Sequence, residues 1–177
     1  MGLRQLLKPR RTLQAGRHLY QSAVAQARQP DLYIGLKAPD TVEGRFELYT
    51  LHVVLLLHRL KRNGQPATDT AQTLFDEYIR GLDDALREMG VGDLGVGKRM
   101  RKLGEAFYGR AKSYDEAFEA LPDTALLTSV VARTVLAGET EGPESLVAYA
   151  VRAADHLAQQ PLEPLLEGRA QWPQVKA

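Results

Sequence analysis

Gly90-Val91-Gly92-Asp93-Leu94-Gly95 spells G-x-G-x-x-G, and Gly92 to Lys98 spells G-x-x-x-x-G-K, so two fingerprints of nucleotide phosphate binding overlap in one short run. Both work by delivering a glycine-rich loop from a strand to a helix N-terminus, where free backbone N–H groups meet phosphate. Here the preceding Leu86-Arg87-Glu88-Met89 reads as the end of a helix. The lysine is followed by Arg99 rather than the Ser or Thr that would ligate magnesium, and Asp93 would repel phosphate. The run therefore reads as a glycine corner joining two helices, in which Gly92 is expected to need positive φ or close helix approach, and no nucleotide is expected.

The histidines His18, His52, His58 and His156 include no pair three or four residues apart and no neighbouring carboxylate in a metal-ligand pattern, so no metal is expected. His52 reads instead as a hydrogen-bonded residue at the edge of an apolar stripe. Ser22, Ser113, Ser129 and Ser145 lie outside any nucleophile elbow. Cysteine is absent, which removes thiol chemistry, disulfides and thiolate zinc sites and suits a reducing compartment. With no catalytic constellation and no cofactor motif, the chain reads as a non-enzymatic binding protein.

Charged residues offer two further patterns. Asp76, Arg80, Asp83 and Arg87 fall along one flank of a helix at alternating steps of four and three, which describes either a solvated ladder or a partner-facing edge. Lys98, Arg101, Lys102, Glu105 and Lys112 lie opposite an apolar stripe when positions are rotated by about 100° per residue. Joined by Arg59, Lys61 and Arg62, that basic face could solubilise the protein or dock RNA or anionic lipid.

The elements that must carry these residues follow from composition and periodicity. A chain of 177 residues, with 23 Lys and Arg against 22 Asp and Glu, suits one domain with no global field toward polyanions. The longest apolar run, Val53 to Leu57, is far short of the roughly 18 residues a membrane span needs. Residues 1–16 read as a basic arm able to touch a membrane peripherally, 17–160 as a helical domain and 161–177 as a tail.

Within the domain, helices are expected over about Arg17 to Gln29 and about Thr41 to Arg62, with loop between them. The second has an Asp40/Glu43 capping box and apolar surface nearly all round. A third opens at Thr68 or Asp69 and stops at Gly90, a fourth opens at Asp93, a fifth follows Pro122-Asp123, and a sixth follows the turn over 138–143. No stretch alternates like a strand. The expected architecture is all-α: a single-domain bundle of about six helices around a buried central one.

Read in order, Ala27-Arg28-Gln29-Pro30, Leu32-Tyr33, Pro39-Asp40-Thr41, Glu43-Gly44-Arg45-Phe46-Glu47, Leu51-His52, Leu86 to Asp93 and Phe107-Tyr108-Gly109-Arg110 resemble the ubiquinol–cytochrome c chaperone family over about Leu19 to Phe118. The resemblance implies a helical assembly chaperone for the cytochrome bc1 complex (respiratory complex III) that engages cytochrome b or another subunit, and, in mitochondrial relatives, a small partner protein near the ribosome. It implies a place in the bacterial cytoplasm at the inner face of the membrane, or on the matrix side in a eukaryote. The alternative is an RNA- or ribosome-associated module using the basic helix face. The motif residues marked as partner-binding candidates are Arg28, Tyr33, Asp40, Arg45, His52, Asp83, Arg87, Asp93, Tyr108 and Arg110. Gly44, Gly90, Gly92 and Gly109 are expected to serve close approach or positive φ. Arg110 lies about 40° from the apolar face of its helix, so its charge should be half-buried and paired, with Asp93, Asp83 and Asp40 as candidate carboxylates.

Overall fold

A computed structural model describes residues 10–137 and 143–176, which form eight helices and no strand. The helices are α1 (Arg10–Ala27), α2 (Pro30–Ile34), α3 (Val42–Leu60), α4 (Gln65–Glu88), α5 (Asp93–Glu119), α6 (Ala125–Thr134), α7 (Pro143–Gln159) and α8 (Leu162–Leu166). The first nine residues of the expected arm and most of the expected 138–143 turn lie outside the described residues.

Helix α3 is the centre, as its all-round apolar surface requires, and packs on α1, α4, α5 and α7. From Leu51 to Leu56 every residue is buried. Its N-cap is Thr41, whose hydroxyl accepts the Gly44 N–H at 3.0 Å, rather than the expected Asp40. Thr41 is the residue directly before the first helical one and holds the extended backbone a cap needs, while Asp40, one residue further out, turns to Arg45. Gly44 is needed there, because a Cβ would drive into the Pro39 carbonyl.

Helix α1 starts at Arg10, earlier than expected, and presents Ala15, Gly16, Leu19, Ala23 and Ala27 inward, so small side chains bring it close to α4. Where a loop was expected after it, Pro30 starts the short α2. Gln29, held extended at φ −60° and ψ 126° by the proline that follows, breaks α1, and the proline's fixed φ seeds the next turn. The same device moves the start of α4 ahead of Thr68 to Gln65, with Pro66 in the first turn. Helix α5 lies on α6, α3 and α4, and α6 leads to α7. Beyond Pro161, α8 packs on α1 and α4, and the chain then runs extended to Lys176.

The glycine corner joins helix to helix. Gly90 has φ +78°, its N–H bonds to the Arg87 carbonyl at 2.9 Å, and the next N–H, of Val91, bonds to Leu86 at 3.1 Å, so the last carbonyls of α4 are satisfied. Gly92 departs from expectation. Its φ is −64° and a Cβ would meet nothing, so the unusual backbone sits two residues earlier. Gly109 likewise has open space around it.

Candidate partner-binding surface

The candidate residues separate into an interior set, buried or half-buried, two exposed clusters and one groove. Arg110 belongs to the first. Its Nε donates to both carboxylate oxygens of Glu47, at 2.7 and 2.6 Å, and a terminal nitrogen closes the fork on the same group. The guanidinium also lies 5.5 Å over the Phe46 ring. The bond to Glu47 raises the pKa of Arg110, although burial works against it. Burial and a carboxylate partner were expected, but the partner is Glu47 and none of Asp93, Asp83 or Asp40. Glu47 stands one and two helical turns before Leu51 and Val54 on the inner face of α3, and that signal, an acid within an apolar stripe, was present in the sequence.

His52 is wholly buried. Its Nδ1 lies 2.7 Å from the Leu48 carbonyl and its Nε2 2.8 Å from the Tyr149 hydroxyl, which accepts from the Gln26 amide at 2.9 Å. The Leu48 carbonyl can only accept, so Nδ1 carries the hydrogen, and in the neutral ring Nε2 accepts from the Tyr149 hydroxyl. Burial pushes the imidazole pKa down to about 4 and the Tyr149 phenol up to about 12. As a surface contact His52 is corrected: with the chain folded it is buried, and it braces α3 to α7 and α1.

Arg28, Tyr33, Asp40 and Arg45 meet at the corner of α1, α2 and α3. Arg28 donates to the Tyr49 hydroxyl at 2.7 Å, Tyr33 donates to the Ala27 carbonyl at 2.7 Å, and Arg45 donates to Asp40 at 2.6 Å while lying 5.7 Å over the Tyr33 ring. The hydrogen bond from Arg45 holds the Asp40 carboxyl below its ordinary range. Asp83, Arg87 and Asp93 form a second exposed cluster, in which Arg87 bridges Asp83 at 2.7 Å and Asp93 at 2.6 Å across the glycine corner. Of the expected ladder, the Asp83–Arg87 rung forms. Arg80 turns to Glu77, and Asp76 accepts from Gln72.

Tyr108 is the exposed aromatic, with 65% of its surface accessible. Its ring leans on Phe75, 5.7 Å between centroids, and closes one side of a groove of about 370 Å³ between α3 and α5, floored by Val54, Leu57 and Ala111. The rim is charged but internally paired. His58 meets Asp115 at 2.8 Å, Lys61 joins Asp115 and Glu119, and Arg62 reaches Glu119 at 3.1 Å. Burial raises the Asp115 pKa, but the bonds from Lys61 and His58 hold it below its ordinary value. The end of α3 therefore does not extend the basic face of α5, since Arg59 too is used, donating to the Leu157 and Gln160 carbonyls at 2.8 Å each. Lys98, Arg101 and Lys102 are exposed without an acidic partner among the described residues.

An all-helical body built on a buried α3, with an aromatic-edged groove, can be set beside known proteins. The family model described as ubiquinol-cytochrome C chaperone matches residues 35–172. The chain belongs to this family. Among curated members it is 26% identical over 162 residues to the mouse ubiquinol-cytochrome c reductase complex assembly factor 1 and 25% identical over 164 residues to the Xenopus laevis protein of that name, each alignment covering 89% of this chain. It spans 54% of the length of the mouse relative and 80% of the Xenopus one. The crystal structure of the Cbp3 homolog from Brucella abortus superposes with a TM-score of 0.83 at 34% identity, covering 98% of both chains. The family match extends past Leu121 through α6, α7 and α8, which the motif residues alone did not reach.

Proposed function

We propose that this ubiquinol-cytochrome C chaperone family member is a non-enzymatic assembly chaperone for respiratory complex III, and that it holds cytochrome b, or an intermediate containing it, in the groove beneath Tyr108. The observation that carries the reading is the sequence match to relatives named as assembly factors of ubiquinol-cytochrome c reductase, within a family described as its chaperones. The groove supports the finer part. Apolar side chains at its floor suit a helix presenting one aliphatic face, and the paired charges around it leave no cation or anion uncompensated when water is displaced. No helix among the described residues is long and apolar enough to cross a membrane.

Deletion in the source organism tests the reading. Mature complex III should fall and cytochrome b should be lost or accumulate unassembled, whereas unchanged levels of both would overturn it. The unpaired Lys98, Arg101 and Lys102 favour, as a second reading, contact with a polyanion such as ribosomal RNA. That contact should weaken steeply as salt rises, while groove binding should not.

A further inference from the structure

At Gly168, buried and with φ +85°, the chain leaves α8, and from Arg169 to Lys176 none of the described residues is buried. This segment lies extended across α1 and α7: Ala170, Trp172 and Val175 pack half-buried against the core, and side chains of the helical body read its backbone. Gln160 pairs with Gln171 in both directions: its amide nitrogen donates to the Gln171 carbonyl at 2.8 Å and its amide oxygen accepts the Gln171 N–H at 2.9 Å. Arg152 donates to the Lys176 carbonyl at 2.9 Å, and Gln26 reaches the Pro173 carbonyl at 3.5 Å. The anchor is Trp172, the only tryptophan in the sequence. Its indole N–H donates to the Ser22 hydroxyl at 2.9 Å, and its ring meets His52 edge-on at 5.1 Å. Beside the segment an open cavity of about 610 Å³ remains, walled by Gln26, Gln29 and Asp31.

Amide and guanidinium side chains that read the carbonyls of an extended chain, with a niche for one aromatic ring, are the chemistry of peptide recognition: main-chain bonds supply affinity and the niche supplies selectivity. A segment held by half-exposed contacts opens at far lower free energy than the core. Being tethered, it faces the site at millimolar effective concentration and refills it whenever nothing competes.

We propose that the α1/α7 face beneath Gln171 to Lys176 is a second protein-binding site. In trans it receives an extended partner segment bearing an aromatic residue followed by proline, and the chain's own residues 169–176 cover it in cis until displaced. The seated segment is the template for that partner. An indole supplies the donor that Ser22 accepts, proline holds the aromatic residue before it extended and brings no N–H of its own to satisfy, and Asp31 at the open end suits a basic residue such as Lys176. Release of the cis segment uncovers the edge of the His52–Tyr149–Gln26 network, so occupancy by a partner also reseals the interior.

The test uses the full chain and a fluorescently labelled synthetic peptide of Arg169 to Lys176, with binding read by anisotropy. Trp172→Gly and, separately, Gln171→Pro loosen the cis segment without touching the body. Each should bind the peptide at least tenfold more tightly than wild type, and a peptide carrying the Trp172→Ala change should not bind. Failure of both variants to take up peptide while circular dichroism shows the helices intact would overturn the proposal. Loss of the folded body in both would overturn it too, by making the segment part of the core, as would dimerisation through exchanged ends without peptide uptake.

Discussion

The inner face of α3 and the corner between α4 and α5 are both rich in charged and polar residues that look functional, yet the protein uses them in opposite ways. On α3, Glu47, Thr50 and His52 are buried, and each finds its partner inside: Arg110, Tyr78 and Tyr149. At the corner, Arg87, Asp83 and Asp93 meet in water, and glycine serves to turn the chain. A polar residue within an apolar stripe has lost its hydration and must be answered by the fold, whereas one at a corner costs the fold little and is free to serve a partner. Chemistry-like spacing is therefore weak evidence for a site on this scaffold until burial is known.

Four perturbations sharpen that contrast, from the largest expected effect down. Arg110→Ala leaves the Glu47 carboxylate buried and unpaired and should cost about 3–5 kcal/mol by chemical denaturation; a near-native unfolding midpoint would show that water reaches Glu47. His52 has a folded pKa near 4, below its ordinary 6.5, so the unfolded chain binds the proton more readily. Its contribution to stability is complete above pH 6.5 and drains away as pH falls toward 4, at a slope of up to about 1.4 kcal/mol per pH unit. His52→Gln should remove that part of the slope, and an unchanged acid profile would contradict its burial. Gly90→Val forces a β-branched residue into left-handed backbone and should cost about 1–2 kcal/mol, while Gly92→Val should be tolerated. Equal losses from the two would move the strained position. Arg87→Ala breaks only an exposed bridge and should leave the melting midpoint at its wild-type value; a marked fall would mean that the corner is more tightly built than its exposure indicates.

Much of the scaffold was legible because helical periodicity is local. Leu48, Leu51, Val53 and Leu56 define the central helix, and the apolar positions of α4 and of α5 from Val96 to Phe118 fall inward as their three- and four-residue steps require. What escaped was non-local or concerned proline. Pro30 and Pro66 read as breaks but also start helices, and α3 begins at Val42, which makes Thr41 rather than Asp40 its cap. The Glu47–Arg110 pair joins residues 63 apart, and no spacing rule reaches that far. The extended end after Gly168 has no periodicity to read, because it is positioned by Gln160, Arg152 and Ser22 from other elements. Of the groove, Tyr108 was marked from the motifs, while Val54 and Leu57 passed as ordinary core because an apolar residue beneath an opening has the same pattern as one beneath a neighbour.

The central claim, that complex III assembly runs through the groove, is tested most directly by placing a photo-crosslinking phenylalanine at position 108 of the full chain in the source organism. A second strain carries it at position 98, on the exposed basic face of the same helix. Illumination should join position 108 to cytochrome b and leave position 98 unlinked to it. Normal complex III assembly with no cytochrome b adduct at 108, or equal adducts at both positions, would contradict the account.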